Sequence, residues 1–249
     1  KGQYGQPGGE CLDVVLSKIL HNHMANRTKS AMGQFESDAA SCFDRIVMLF
    51  AILGFISLGA PLGPVNMWLK ALYHIIHSVK TGFGISKRRY HYSEDHPIIG
   101  PGQGSKGGPA SCSIMTSPLL KAMDKSATGI SFTDPNQRLQ YSTKALMFID
   151  DNTNYSNRFL RWLHTPPSKI DLRDTLEHDA QIWERLLWTS GGLLKLPKCL
   201  FYLMHWKFDD EGKATLTEKA NLPDMHLTLG DLEQKEKINQ HNSDEAHRT

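Results

Sequence analysis

Between residues 10 and 25 the apolar positions Leu12, Val15, Ile19 and Leu20 recur at helical spacing, which predicts an amphipathic helix with that stripe turned toward a core. A short strand is predicted at residues 35–40, delivering Asp38 near its end. Residues 45–78 read as two apolar helices separated by a Pro/Gly break. After residues 79–85 comes SKRRYHY, predicted as a basic and aromatic turn. The glycine-rich run GPGQGSKGGP then leads into a helix with Pro109 in its first turn, ending near Lys125. Residues 138–160 read as a hairpin, with LQYSTKALMFI entering and an aspartate pair turning the corner. Asp174-x-x-Glu177 predicts a capping box for the next helix, whose buried face carries Leu176, Ala180, Trp183 and Leu187 and which ends at Gly191-Gly192. A continuous apolar and aromatic strand, CLFYLMHWKF, follows, and residues 209–249 are polar with no predicted element.

The order strand, helix, hairpin, helix, strand predicts an α+β chain with an antiparallel sheet in a split βαβ, ferredoxin-like arrangement. In such a sheet the end of the first strand and the tip of the hairpin lie side by side. Asp38 and Asp150 are then expected to meet although they are far apart in sequence.

Composition changes this picture little. With 249 residues, 28.0 kDa and 40% hydrophobic residues, the chain has enough apolar material for one substantial core or two small ones. A net charge of +2 and a pI near 8.3 do not by themselves mark a nucleic-acid binder. The cysteines Cys11, Cys42, Cys112 and Cys199 are scattered without a C-x-x-C pair, which predicts a reducing compartment and no structural zinc. His21/His23 and His74/His77 lack further ligands nearby and are expected at the surface. Residues 46–69 carry no charge, yet Gly59, Pro61 and Gly63-Pro64 cut them into pieces too short to span a membrane, so no membrane is expected. The chain starts at Lys1 and ends on AHRT, which reads as a piece of something longer.

The stretch MFIDDNT poses the chemical question. Two adjacent carboxylates repel, so they need water or a cation. Asp151-Asn152 is also good turn chemistry, and a solvated turn remains open beside a metal site. If Asp38 converges with Asp150 and Asp151, the three form a set of hard oxygen donors of the kind Mg²⁺ accepts, with positions left for substrate phosphates. Gly102-x-Gly104-x-x-Gly107 formally matches a dinucleotide-binding loop, but no long buried strand precedes it. Lys87, Arg88 and Arg89, with Tyr90 and Tyr92, could meet phosphates and stack on bases, or form an ordinary solvated turn.

Taken in order, these residues resemble the motifs of reverse transcriptases, especially those of non-LTR, LINE-like retrotransposons. Asp38, Phe43 and Asp44 match an aspartate with an aromatic five residues on and a second aspartate six on. Gly100, Gln103, Gly104 and Pro109 match G-x-x-Q-G followed by a proline, and Phe148, Ile149, Asp150 and Asp151 match aromatic-x-Asp-Asp. Gly191, Lys198 and Cys199 match a glycine followed seven residues later by a Lys-Cys pair, and QYGQPGGE echoes a fingers segment without its arginines. The resemblance covers about residues 1–206.

That resemblance implies a right-hand polymerase palm with helical fingers elements and with incomplete fingers and thumb. Residues 1–34 would be a fingers remnant, 35–46 the first palm strand, 47–99 a helical insertion, 100–208 the rest of the palm and 209–249 a connection toward the thumb. Implied catalytic residues are Asp38, Asp150, Asp151 and Lys198. Asp38, Asp150, Asp151 and the Ala39 carbonyl would hold two Mg²⁺ ions, with Mn²⁺ as a substitute. Ala39, Phe43, Gln103, Gly104 and Ser105 would line the nucleotide site, with Phe43 excluding a ribose 2'-hydroxyl and Lys198 serving the departing pyrophosphate. Implied partners are an RNA template, a DNA primer and dNTPs, inside the cell in nucleus or cytoplasm, and Lys87, Arg88 and Arg89 are the candidate nucleic-acid contacts. An RNA-dependent RNA polymerase is disfavoured by Phe43 and Gln103. A non-catalytic, polymerase-like remnant is the rival from another class.

Overall fold

The computed structural model describes residues 4–5, 8–93, 95, 100–102, 105–133, 136, 138–157, 168–217, 225–230 and 235–241. In chain order, helix α1 (Cys11–Thr28) precedes β1 (Met32–Ser37) and the short α2 (Cys42–Arg45), followed by α3 (Met48–Ser57) and α4 (Leu62–Tyr73). A hairpin of β2 (Ile76–Thr81) and β3 (Gly84–His91) leads to α5 (Gly108–Ser126), then to β4 (Ile130–Thr133), β5 (Gln140–Thr143), β6 (Ala145–Phe148) and β7 (Asp151–Ser156). Helix α6 (Lys169–Thr189), a 3-10 turn (Leu196–Lys198), β8 (Leu200–Met204), β9 (Trp206–Phe208), β10 (Ala214–Leu216), β11 (His226–Gly230) and β12 (Lys235–Asn239) complete the described elements.

The central sheet is antiparallel with strand order β6-β7-β1-β8. With α5 between β1 and β6, and α6 between β7 and β8, this is the split βαβ order expected from the sequence. Successive side chains of a strand point to opposite faces. Ala145 and Met147 of β6, Phe35 of β1, and Phe201 and Leu203 of β8 therefore share one core with Leu172, Leu176, Ala180, Trp183 and Leu187 of α6. Leu146, Met32 and Tyr155 enter a second core with Val14 and Ala25 of α1 and Ile130 and Phe132 of β4. Gly33 lies under α6, where a Cβ would stand 3.2 Å from the Leu176 side chain. The insertion between β1 and β2 packs on the start of α5 through Ile46, Met48, Ala51, Leu72, Cys112 and Met115. No helix among the described residues is long and apolar enough to cross a membrane.

Several expectations are corrected. Helix α1 forms, but its predicted stripe faces out: Leu12, Val15, Ile19 and Leu20 are 44–59% exposed, while Val14, His21 and Ala25 are buried. Periodicity tells which residues share a face and is silent on which face meets the sheet. His21 is thus interior, stacked on Tyr155 with ring centroids 4.8 Å apart, and burial lowers its pKa against a hydrogen bond to the Ser17 carbonyl. All of SKRRYHY but its last residue, Tyr92, lies in strand β3 rather than in a turn, and the partner strand β2 is equally exposed. The expected single hairpin is two: Gln140–Thr143 pairs with β4, and only residues after Lys144 pair with β7.

Helix α6 starts earlier than expected. Ser168 caps it, accepting the Asp171 N–H at 3.1 Å in a capping box. Asp174 pairs with its neighbour Arg173, and Glu177 turns away to accept the Thr228 N–H at 2.8 Å. One and two turns on, Gln181 Nε2 donates to the Thr228 carbonyl at 3.1 Å and Glu184 accepts the Gly230 N–H at 2.9 Å. This polar row along α6 grips the backbone of β11, while Leu227, Leu229 and Ile238 of the β11–β12 hairpin close the core beside it. The polar C-terminal region therefore contains ordered strands. The long apolar strand breaks at His205, after which β9 pairs with β10.

Candidate functional site

The site lies at one end of the central sheet. The β1–β7 ladder runs to Ser37↔Asn152, and one more step of the same register sets Asp38 opposite Asp151. On the other side the ladder of β1 with β8 ends at Glu36↔Leu200, and Asp38 there meets the side chain of Lys198, the last residue of the 3-10 turn Leu196–Lys198 that leads into β8. Its Nζ stands 3.1 Å from Asp38 Oδ2. The chain before β8 is strapped to this point: Lys195 N–H donates to the Asp38 carbonyl at 2.8 Å, and Ala40 N–H donates to the Leu193 carbonyl at 2.7 Å. Ala39 bridges Leu194 between these two bonds, so its own carbonyl takes no part in them.

The Phe148↔Asp151 pair closes the β6–β7 hairpin over a two-residue loop, Ile149-Asp150. Ile149 sits at φ +59°, a conformation costly for a β-branched side chain, by about 1–2 kcal/mol. Packing holds it there. Its side chain contacts the cluster containing Cys112, Phe43 and Trp68, and the Cys112 thiol donates to its carbonyl at 3.2 Å. Strain kept in place by surroundings is a common property of functional loops.

The three carboxylates feel one another. The Asp150 pKa is raised by burial first, then by the charge of Asp151, and also by Asp38. That of Asp151 is raised by burial, then by Asp38, with Lys18 and Lys198 pulling it back. Asp151 is open to solvent, so water moderates the burial contribution more than it does at the half-buried Asp150. Among the described residues no three His, Cys, Asp or Glu side chains gather closely enough to hold a metal ion unaided. The sheet end is an anionic meeting point and not the finished three-carboxylate cage anticipated from sequence. One or two carboxylates suffice for Mg²⁺ when waters and substrate phosphates complete the shell.

Phe43 lies on α2 against the start of α5, where a Cβ on Gly108 would come 3.0 Å from its ring. A Cβ on Gly100 would collide with the Phe43 carbonyl oxygen. These glycines let the glycine-rich segment settle directly on the aromatic residue. Ser105 organises the entry to α5, its hydroxyl accepting the Gly107 N–H at 3.3 Å and its carbonyl accepting the Gly108 N–H at 3.0 Å. Gln103 and Gly104 lie outside the described residues. Lys87, Arg88 and Arg89 are exposed on β3, where Tyr90 stacks on His77 with centroids 4.8 Å apart.

Two features escaped the sequence reading. Lys18 of α1 reaches Glu36 at 3.1 Å and adds a cation to the field at Asp151. Cys42 and Cys112, 70 positions apart, bring their sulfurs to 3.4 Å beside the hairpin tip. The hydrogen bond with Cys42, then burial, then the charges of Cys42 and Asp150 push the Cys112 thiol pKa up. No sequence spacing signals either pair, because packing of α1 on the sheet and of α2 on α5 creates them.

No family model matches the chain. No curated protein matches it significantly. Among solved structures it is similar to telomerase from Candida albicans in complex with a TWJ fragment of telomeric RNA, at 12% identity and a TM-score of 0.49 over 92% of this chain and 33% of that one. It is similar to apo telomerase from Candida tropicalis truncated from its C-terminal domain, at 14% identity and a TM-score of 0.46 over 82% of this chain and 37% of that one. Telomerase from Candida tropicalis in complex with the same kind of RNA fragment matches at 13% identity and a TM-score of 0.41, over 77% and 29%. The chain thus spans about a third of the length of these telomerases.

Proposed function

We propose that the chain is the palm of an RNA-directed DNA polymerase of the non-LTR, LINE-like retrotransposon type, adding dNTPs to a primer 3'-hydroxyl on an RNA template. The observation that supports this reading most is the meeting of Asp38, just past β1, with Asp150 and Asp151 at the β6–β7 tip. Mutually repelling carboxylates at one sheet end suit a divalent cation, whose binding relieves the repulsion. Asp38 and Asp150 would hold two Mg²⁺ ions, with Asp151 and the Ala39 carbonyl assisting. When bound, such ions supply activation of the primer hydroxyl and neutralisation of the leaving pyrophosphate.

The chain's own groups do the rest. Lys198, its side chain 60% exposed and resting on Asp38, would release that carboxylate and carry its charge and proton to the pyrophosphate. Phe43, set against Gly108, would fill the space a ribose 2'-hydroxyl needs. Gln103, Gly104 and Ser105 would lie along the incoming nucleotide, and Lys87, Arg88 and Arg89 would meet template or primer phosphates.

The test is primer extension on an RNA template with dNTPs and Mg²⁺, comparing the wild type with Asp38→Asn and Asp150→Asn. Extension by the wild type and a loss of about 10²-fold or more in each variant is the expected result. A second reading, a polymerase-like scaffold without catalysis, draws on the ion pair that Asp38 already makes with Lys198. Wild type that binds primed template yet extends nothing would leave that reading in place of the first.

A further inference from the structure

The proposed nucleotidyl transfer assigns no role to the cysteine pair under the hairpin tip. Cys42 is half-buried on α2, and Cys112 is 1% exposed on α5. Their sulfurs are 3.4 Å apart and either can donate. Because the Cys112 S–H points to the Ile149 carbonyl at 3.2 Å, the proton between the sulfurs belongs to Cys42. The result is a chain, Cys42 S–H to Cys112 sulfur and Cys112 S–H to Ile149 oxygen, which ends one residue before Asp150. Cys42 directly precedes Phe43. Both ends of the dithiol thus abut residues of the candidate site.

We propose that Cys42 and Cys112 form a reversible disulfide under oxidising conditions, and that this bond is a redox switch acting on the β6–β7 hairpin tip. A disulfide needs the sulfurs at about 2.05 Å, a closure of about 1.4 Å from the present separation. That is a rotamer-scale adjustment for two side chains already in contact. Hydrogen peroxide serves as the two-electron oxidant. The more exposed Cys42 sulfur attacks a peroxide oxygen, the O–O bond breaks, and one water leaves, giving a sulfenic acid. The Cys112 sulfur then attacks Cys42 sulfur, the S–O bond breaks, and a second water leaves. In sum, two thiols and one hydrogen peroxide yield one disulfide and two waters, with two electrons passing from sulfur to oxygen.

Oxidation removes the S–H that Cys112 donates to Ile149 and ties α2 to α5. Ile149 is the strained residue of the loop, so withdrawing a bond from its carbonyl frees the tip to move. The sulfur chemistry stands apart from the polymerase reading. Only the consequence for DNA synthesis rests on it.

The test is a hydrogen peroxide series on the purified chain, quenched with N-ethylmaleimide and digested with trypsin. Cleavage places Cys42 in peptide 30–45 and Cys112 in peptide 107–121. The expected main product is these two peptides joined, two hydrogens lighter than their sum, and separated again by dithiothreitol. Hydrogen exchange across residues 145–152 rises in the oxidised wild type and not in Cys42→Ser treated identically. Cys42 carried on to sulfinic acid, or joined to Cys11 or Cys199, with Cys112 unchanged, would overturn the disulfide. A joined peptide with unaltered exchange at 145–152 would overturn the switch. These outcomes are read without any polymerase assay, so they separate failure of the switch from failure of the proposed activity.

Discussion

Replacing Lys198 with methionine keeps most of its length, losing only the terminal ammonium, and removes its charge. The ammonium lies 3.1 Å from Asp38 Oδ2, but the lysine side chain is 60% exposed and that of the aspartate 27%. An ion pair so open to water contributes on the order of 0.2–1 kcal/mol. Unfolding should therefore lose at most about 1 kcal/mol, a fall in Tm of no more than about 2–4 °C for a chain of this size. The same energy has the opposite sign for metal binding, because Lys198 competes for a carboxylate that the cation needs. With about 1.4 kcal/mol per factor of ten, Mg²⁺ binding should tighten by up to roughly fivefold. Primer extension should meanwhile slow, since the pyrophosphate loses its cation. The assay is Mg²⁺ titration by calorimetry, beside steady-state extension at saturating metal. If Mg²⁺ bound the Lys198→Met protein more weakly than the wild type, Lys198 would be supporting the site and not competing for it, and the reasoning would fail.

Three further outcomes are expected. The raised pKa values of Asp150 and Asp151 mean that the folded chain binds more protons than the unfolded one above the ordinary carboxylate value of about 4. Metal-free stability should accordingly fall as pH rises through that window, and Asp150→Asn should flatten the fall in Tm measured from pH 4 to 7. Asp179, fully buried, accepts the Thr128 and Gly129 N–H groups at 2.9 and 3.2 Å and the Ser156 hydroxyl at 2.6 Å. Asp179→Ala strands three donors and should cost roughly 3 kcal/mol or more in denaturant unfolding, with a loss below about 1 kcal/mol counting against the clamp. Phe43→Ala should relax discrimination of dNTP over rNTP by about 10- to 100-fold in competitive extension, and an unchanged ratio would remove Phe43 from the sugar site.

What was legible in the sequence was whatever local pattern determines. Pro109 opens α5, and Leu176, Ala180, Trp183 and Leu187 mark the buried face of α6. The order of elements yields the split βαβ sheet, and that sheet brings Asp38 to the Asp150-Asp151 tip. What depended on distant partners was not legible. Leu12, Val15, Ile19 and Leu20 look like a core stripe, yet α1 meets the sheet through Val14, His21 and Ala25. Glu177 looked like a helix cap until β11 supplied the backbone donor it grips. The basic run at Lys87 looked like a turn, because an exposed strand without apolar alternation leaves no periodic trace. The Cys42–Cys112 contact needs the fold in hand.

The proposed polymerase requires a divalent-metal site shared by the end of β1 and the β6–β7 tip. The measurement that bears on it most directly is anomalous scattering from crystals of the chain grown with Mn²⁺, primed RNA template and a non-hydrolysable dNTP. The predicted result is Mn²⁺ at coordination distance from both Asp38 and Asp150, with Lys198 withdrawn from Asp38 toward the triphosphate. Mn²⁺ bound elsewhere, with Lys198 still resting on Asp38, would contradict it.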